Sequence, residues 1–220
     1  MSTRTVYKAQ VPALTTSQRE VLYGMLLGDA HARHGPRYRE ASVEFRHGLA
    51  QRAFVDHLFR VFRAYTWFET PSARQTRSQG TSYTSYGFAT FTHPEFTMFH
   101  RAFYRPTWGR PPFQKVIPAH VDQWWTPRVL AYHLMSDGAF HRNRVSLYTY
   151  VYSHDDCIRY LAVVNARLEL HGRVFGHRRG GKTLAYITFP ARDLPTLRAQ
   201  IGPYLLPGFA YKVGQALPQE

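Results

Sequence analysis

An apolar, helix-like run that ends in a small residue and an aspartate occurs twice in this chain. That repetition limits the possible folds more than any other feature. "LYGMLLGDA" (Leu22–Ala30) aligns with "LAYHLMSDG" (Leu130–Gly138), which sets Asp29 over Asp137, 108 residues apart in a chain of 220. Helix carbonyls at a C-terminus already carry partial negative charge, so an acid there costs roughly 0.3–1 kcal/mol. A chain that accepts this cost at two matching places is built from two similar halves, and something must offset the charge at both.

The residues after each aspartate repeat as well. After Asp29, Ser42-Val43-Glu44-Phe45-Arg46 alternates as a half-exposed strand does. Phe54, Val55, Leu58, Val61, Phe62 and Tyr65 follow at helical spacing. A polar hairpin then turns near Gln79-Gly80, and "PEFTMFHRAFY" reads as a short helix with Pro94 near its start. After Asp137, "AFHRNRVSLYTYVYS" is a strand pair or one long strand. An amphipathic helix follows, with Asp155 and Asp156 at its favourable N-terminal end. A hairpin turning at Gly180-Gly181 and a last helix complete the second half. Each half reads αββαββα, with repeats at 15–105 and 126–214 and a connecting segment at 106–125. Trp108, Phe113, Trp124 and Trp125 in and around the connector call for burial.

Composition narrows the partners. Lys and Arg total 28 against 14 Asp and Glu, a formal charge of +14. Only Lys8, Lys115, Lys182 and Lys212 are lysines, so arginine dominates, and its planar fork suits phosphates and guanine edges. Codon bias toward arginine with a purely solubilising charge is the alternative. No apolar run reaches the ~18 residues of a membrane span. The lone Cys157, read as a core residue, cannot form an internal disulfide, which fits a reducing compartment and a chain that is not secreted. The start lacks the apolar stretch of a secretory signal; it is free of acids and holds Arg4, Lys8 and Arg19, a weak mark of an organellar segment.

Two similar halves imply pseudo-twofold symmetry, with the two acid-ending helices meeting on the axis. Gly24 and Gly28 would let their backbones approach closely. Asp29 and Asp137 would then share one pole, where a divalent cation would relieve their repulsion.

These residues resemble the LAGLIDADG homing endonucleases of the single-chain, two-motif kind. "VIPAHVDQWWTPRVLAYHLMSDG" is similar to that family's stretch before and through its second motif, and "IGPYLLPGFAYKV" to its C-terminal signature. The resemblance covers residues 15–214. It departs at Ala30, where the family has Gly, at Tyr132, which replaces a small residue, and at Ser136. The likeness implies an α+β fold, with two pseudo-symmetric αββαββα repeats forming a saddle, antiparallel DNA-binding sheets and two central motif helices. It also implies that Asp29 and Asp137 are metal ligands, helped by the carbonyls of Gly28 and Ser136, with Mg²⁺ as the ion and Mn²⁺ as a substitute.

Lys115 and Lys212 occupy equivalent places at the ends of the two repeats, each after a Pro-containing turn and a Phe. By resemblance they act beside the metal-bound water or the phosphorus; a solvated surface lysine is the alternative. His47 lies where family members often have a polar, water-positioning residue, or else is a surface or phosphate-contacting histidine. The pairs His31/His34 and His171/His177 lack the partners of a closed zinc site. His133, on an apolar helix face, reads as packed.

A two-stranded ribbon fits the major groove, where base edges distinguish all four pairs. The first half offers Arg33, Arg37, Arg39, Glu44 and Arg46, then Arg74, Gln75, Arg77 and Gln79. The second offers Arg142, Asn143, Arg144 and Tyr148, then Arg173, His177, Arg178, Arg179 and Lys182. An exposed, merely soluble sheet face is the alternative for each. The tyrosines of "YTSYGF" and "LYTYVY" could stack on unpaired bases, with alternate ones expected in the core.

The resemblance implies a monomeric, Mg²⁺-dependent endodeoxyribonuclease that cuts both strands of a long asymmetric site, leaves 3′ overhangs and mobilises its own intron or reading frame. A mitochondrial or chloroplast setting is implied. So is a freestanding or intron-encoded form, because no self-splicing flanks are visible. Two rivals remain: an RNA-binding maturase that assists splicing of its own intron RNA, and a DNA-binding derivative that no longer cuts.

Overall fold

The computed structural model describes residues 3–35, 38–78, 81–109 and 112–215. Contacts divide the chain into two compact units, residues 1–19 with 29–101 and residues 20–28 with 102–220.

The first unit holds helix α1 (Thr3–Gln10), the opening turn of α2 (Thr16–Leu27), α3 (Arg52–Val61) and most of α4 (Pro94–Phe103). Its sheet comprises β1 (His31–Arg33), β2 (Ser42–Gly48), β3 (Ser72–Ser78) and β4 (Thr81–Ala89), antiparallel in the order β1-β2-β4-β3. The alternation read in β2 is real: Val43, Phe45 and His47 are buried, while Ser42, Glu44 and Arg46 are half-exposed. Phe45 stacks on Phe62 at 4.9 Å and on Phe88 at 5.1 Å between ring centres. From α3, Phe54, Val55, Leu58 and Phe59 close the same core. Each such side chain, fully buried, contributes roughly 1.5–3 kcal/mol.

The second unit takes the rest of α2. It adds a two-stranded ribbon of β5 (Tyr104–Pro106) and β6 (Phe113–Lys115), and the short α5 (Val121–Trp124). There follow α6 (Pro127–Asp137), β7 (Gly138–His141), β8 (Arg144–Leu147), α7 (His154–Leu168), β9 (Arg173–Arg179), β10 (Lys182–Phe189) and α8 (Leu194–Ile201). The four long-sheet strands are antiparallel in the order β7-β8-β10-β9, the same topology as in the first unit. In chain order the elements from α2 to α4 and from α6 to α8 each run αββαββα, as the repeat requires. The α7 start forms where Ser153 Oγ accepts the Asp156 N–H at 3.1 Å, and both first-turn acids favour the helix dipole.

Two open points of the sequence resolve. The run after Asp137 is a strand pair, turning at Arg142 and Asn143, both with positive φ (48° and 56°). Among the connector aromatics, Trp125 is buried and Trp124 stacks on Tyr23 (6.0 Å, 11°), but Trp108 is fully exposed. Trp108 lies in the turn of the β5-β6 ribbon, closed by Thr107 N–H donating to Pro112 O.

Glycine decides how α2 packs on α6. A Cβ on Gly24 would lie 2.5 Å from Val129 O and 2.8 Å from Tyr132 Cβ, and one on Gly28 would lie 2.6 Å from Ser136 Cβ. The backbones are therefore as close as side-chain-free positions allow. Gly24→Ala should lower stability by about 1–2 kcal/mol. The clash with a backbone carbonyl outweighs the roughly 1 kcal/mol gain in helix propensity. A thermal melt should show a fall of several degrees, while Gly48→Ala, whose Cβ would meet nothing within 4 Å, should stay near wild type.

Candidate active site

The site is built at helix C-termini. In the second unit Asp137 is the last residue of α6 and is half-buried; a Cβ on Gly28 would lie 3.0 Å from its Oδ2. Lys115, delivered by β6, donates from Nζ to Gly28 O at 2.5 Å. Lys212, only 4% exposed, donates from Nζ to Met135 O at 2.5 Å. Its ammonium also lies 5.2 Å from the Phe209 ring centre. Both lysines thus place positive charge on carbonyls of the turn that carries an aspartate, at the negative end of a helix. Gly28 O keeps a second lone pair.

Tyr152 completes the α2 terminus. Its hydroxyl faces Leu27 O at 2.9 Å and Leu26 O at 3.2 Å, donating to both in shared fashion. Burial first, and then nearby ionisable groups including Asp137, push its pKa well up, so it stays a neutral donor. The sequence includes Tyr152 only among the tyrosines of "LYTYVY", with alternate ones expected in the core; Tyr148 and Tyr150 are exposed and Tyr152 is buried.

His133 is packed, as its apolar helix face suggested. It is fully buried and its Nδ1 lies 3.1 Å from Tyr160 Oη. Burial, followed by the charges of Lys115 and Lys212, holds its pKa down at about 3, so the ring is neutral.

In the first unit Asp29 follows directly on the helix end, with its side chain 48% exposed. The His47 ring, 2% exposed and projecting inward from β2, sets Nδ1 3.4 Å from Asp29 Oδ2 and packs on Phe54. The structure therefore brings His47 to Asp29, Asp137 to Gly28, Lys115 to the Gly28 carbonyl and Lys212 to the α6 end.

The departures at Tyr132 and Ser136 fit this packing. Each faces a glycine of α2, Tyr132 opposite Gly24 and Ser136 opposite Gly28. A larger residue on α6 occupies the space that a missing Cβ leaves on α2, and the helix pair stays closely packed.

Register sorts the candidate reading residues. In the first sheet Arg46, Ser85 and Arg74 share the outer face, and Arg46 Nη1 donates to Ser85 Oγ at 3.3 Å. Glu44 pairs with both Arg33 and Arg46. Gln75 and Arg77 project to the opposite face of the β3-β4 ribbon, so the Arg74, Gln75 and Arg77 set does not act as one row. Arg39 is exposed in a bend. In the second sheet Arg144, Arg173 and His177 share one face; Arg142 and Asn143 hold the hairpin tip, and Tyr148 is exposed beyond β8. Arg178 lies on the other face of its ribbon. His141 and Tyr186, absent from the candidates above, line one hollow with Tyr150, Arg142, Arg144 and His177. Arg37 and Gln79 lie outside the described residues, as do the side chains of Arg179 and Lys182.

The model of the LAGLIDADG DNA endonuclease family matches residues 19–197. The chain is 24% identical over 198 residues to cytochrome b mRNA maturase bI2 of Debaryomyces hansenii, spanning 89% of this chain and 72% of that one. It is 23% identical over 209 residues to DNA endonuclease I-ChuI of Chlamydomonas applanata, spanning 91% and 96%. Its fold is similar to the solved structure of homing endonuclease I-WcaI bound to its DNA recognition sequence. That match has a TM-score of 0.83 and 22% identity, over 96% of this chain and 91% of that chain. With the family's motif positions at two helix ends and the repeated sheet topology, these matches give one conclusion: the chain belongs to the LAGLIDADG DNA endonuclease family.

Proposed function

We propose that the chain is a monomeric, site-specific homing endonuclease that hydrolyses both strands of a long asymmetric DNA target, leaves 3′ overhangs and works in a mitochondrion or chloroplast. One observation carries the reading. At the ends of α2 and α6, which pack through the glycines of α2, a lysine ammonium donates to a backbone carbonyl one or two residues before an aspartate.

The donor set suits a hard divalent ion, Mg²⁺ first and Mn²⁺ as a substitute. Asp29 and Asp137 offer carboxylate oxygens, and the Gly28 and Ser136 carbonyls lie beside them in sequence. Among the described residues no group of three or more His, Cys, Asp or Glu gathers. Mg²⁺ is commonly held by one or two carboxylates and completed by substrate phosphate and water. Bound there, the ion supplies Lewis acidity toward the phosphate and a more acidic water.

The chain's own groups do the remaining work. Asp29 and Asp137 concentrate negative charge that would otherwise destabilise their helix ends. Lys115 and Lys212 hold positive charge close to where the phosphorus gathers negative charge in the transition state. His47, buried against Phe54, fixes the Asp29 carboxylate and excludes bulk water from its inner side. The exposed sheet arginines contact phosphates and base edges.

A second reading, an RNA-binding maturase, has support in the likeness to the Debaryomyces maturase over 89% of the chain. A splicing assay with the encoding intron RNA separates the two: stimulated splicing without DNA cutting favours the maturase.

Three results are expected. Asp29→Asn or Asp137→Asn lowers Mg²⁺-dependent double-strand cleavage by about 10²-fold or more, with duplex affinity near wild type; full cutting by either variant rejects the assignment. Lys115→Met and Lys212→Met, which keep the apolar stem, slow single-turnover cleavage by at least about tenfold; unchanged rates make both lysines structural caps only. Duplex affinity falls with salt at a log–log slope of about −0.9 per phosphate contacted, and a flat response contradicts the charged-surface picture.

A further inference from the structure

Among the cavities of the second unit, a hollow of about 640 Å³ stands apart by charge. Arg142, Arg144, Arg173, Arg192 and His171 line it, with Phe175 as an apolar wall and no acid on its lining. None of the four guanidiniums makes an ion pair or hydrogen bond to any described residue. The first sheet handles its arginines differently, since Glu44 pairs with both Arg33 and Arg46 there. Four uncompensated cations around one concavity repel one another, and an anion in the hollow removes that penalty.

The fifth group is held in place. Asp193, buried at 2% exposure, accepts from the His171 backbone N–H at 2.8 Å, and its other oxygen lies 2.9 Å from Nδ1. The acid thereby fixes the ring, whose other edge is half-exposed, without lining the hollow itself. Arg142 is placed by the two-residue turn between β7 and β8, whose primed geometry requires its φ of 48°.

We infer that this hollow is a phosphate clamp for the nucleic-acid backbone, with Phe175 against a sugar, rather than a set of base-reading contacts. The inference rests on the nucleic-acid role proposed above and adds Arg192 and His171 to it. It also moves Arg142, Arg144 and Arg173 from reading sequence to fixing register. Bidentate base recognition wants single, separated forks with polar neighbours, whereas several guanidiniums around one hollow with no carboxylate among them match phosphate oxygens. Arg142 stands five residues beyond Asp137, just past the end of β7, at most about 17 Å away at the rise of a strand, so the clamp grips the backbone away from the proposed metal-binding acid.

The test uses the full chain and measures equilibrium binding against salt for a duplex of arbitrary sequence and for single-stranded RNA. A randomised duplex pool reports base preference. Arg192→Ala and Arg173→Ala are the variants of choice: both side chains are exposed and unpaired, whereas His171→Ala would strand the buried Asp193. Each should weaken duplex binding several-fold on every sequence and lower the salt slope by about 0.9 for each phosphate no longer gripped, and Arg192→Lys should keep the slope. Base preference should not change. A wild-type slope in both alanine variants, or weakening confined to particular base positions, overturns the clamp while leaving DNA binding intact. If the wild type ignores duplex but binds RNA with a slope that Arg192→Ala lowers, the clamp stands and the duplex reading falls. Binding to neither overturns both.

Discussion

Positive charge on helix C-terminal carbonyls is the interaction on which the rest of this structure depends. An aspartate at such an end adds its charge to an already negative group of carbonyls. Here Lys115 on Gly28 O and Lys212 on Met135 O meet that charge with ammonium groups, and Tyr152 satisfies Leu26 and Leu27 carbonyls with a hydroxyl that cannot ionise. The same arrangement explains His133. A cationic imidazole beneath two lysines would be repelled, so burial keeps the ring neutral and it serves packing alone. The lysines therefore have a structural duty as well as the proposed chemical one, and the methionine variants separate the two.

Close helix packing makes this possible. Lys115 reaches Gly28 O only because β6 ends beside the α2 terminus, and the terminus lies against α6 because Gly24 and Gly28 carry no side chains. Residue size is distributed between the two helices: glycine on α2 faces Tyr132 and Ser136 on α6. Departures that look like decay when one motif is read alone are complementary when the pair is considered. Tyr132 and Ser136 therefore lend no support to the rival reading of a chain that no longer cuts.

Much of this was legible in the sequence, because periodicity and repetition report local order. The αββαββα halves, the inward row of β2, the Gly180-Gly181 turn and the packed His133 all follow from patterns of a few residues. Features that depend on tertiary placement were not legible. Trp108 was expected to be buried because its side chain is large and apolar, but it sits in the turn of a two-stranded ribbon and is exposed. Gln75 and Arg77 sit beside Arg74 in sequence, yet strand alternation sends them to the other face. Tyr152 lies in a tyrosine series whose other members are exposed, and only the fold distinguishes it. His171 and Arg192 come from segments flanking the strands, where no motif marks them.

The two sheets share a topology but not an electrostatic character, and this difference bears on the kind of target such a chain would take. In the first, Glu44 holds Arg33 and Arg46 in a fixed polar array joined to Ser85, so donor and acceptor positions are set before any ligand arrives. An array of that kind loses little order when it meets base edges, and its acid can accept from cytosine as its arginines donate to guanine. In the second, unpaired arginines gather around one hollow, where their repulsion is relieved by an anion but not by a neutral base edge. Both surfaces meet one duplex on the proposed reading, and a palindromic duplex would present identical halves to two unlike surfaces. On the proposed reading, divergence between the repeats makes an asymmetric target the better match. Each half then needs only to suit its own stretch of the duplex, while the two helix-end aspartates keep the same chemistry.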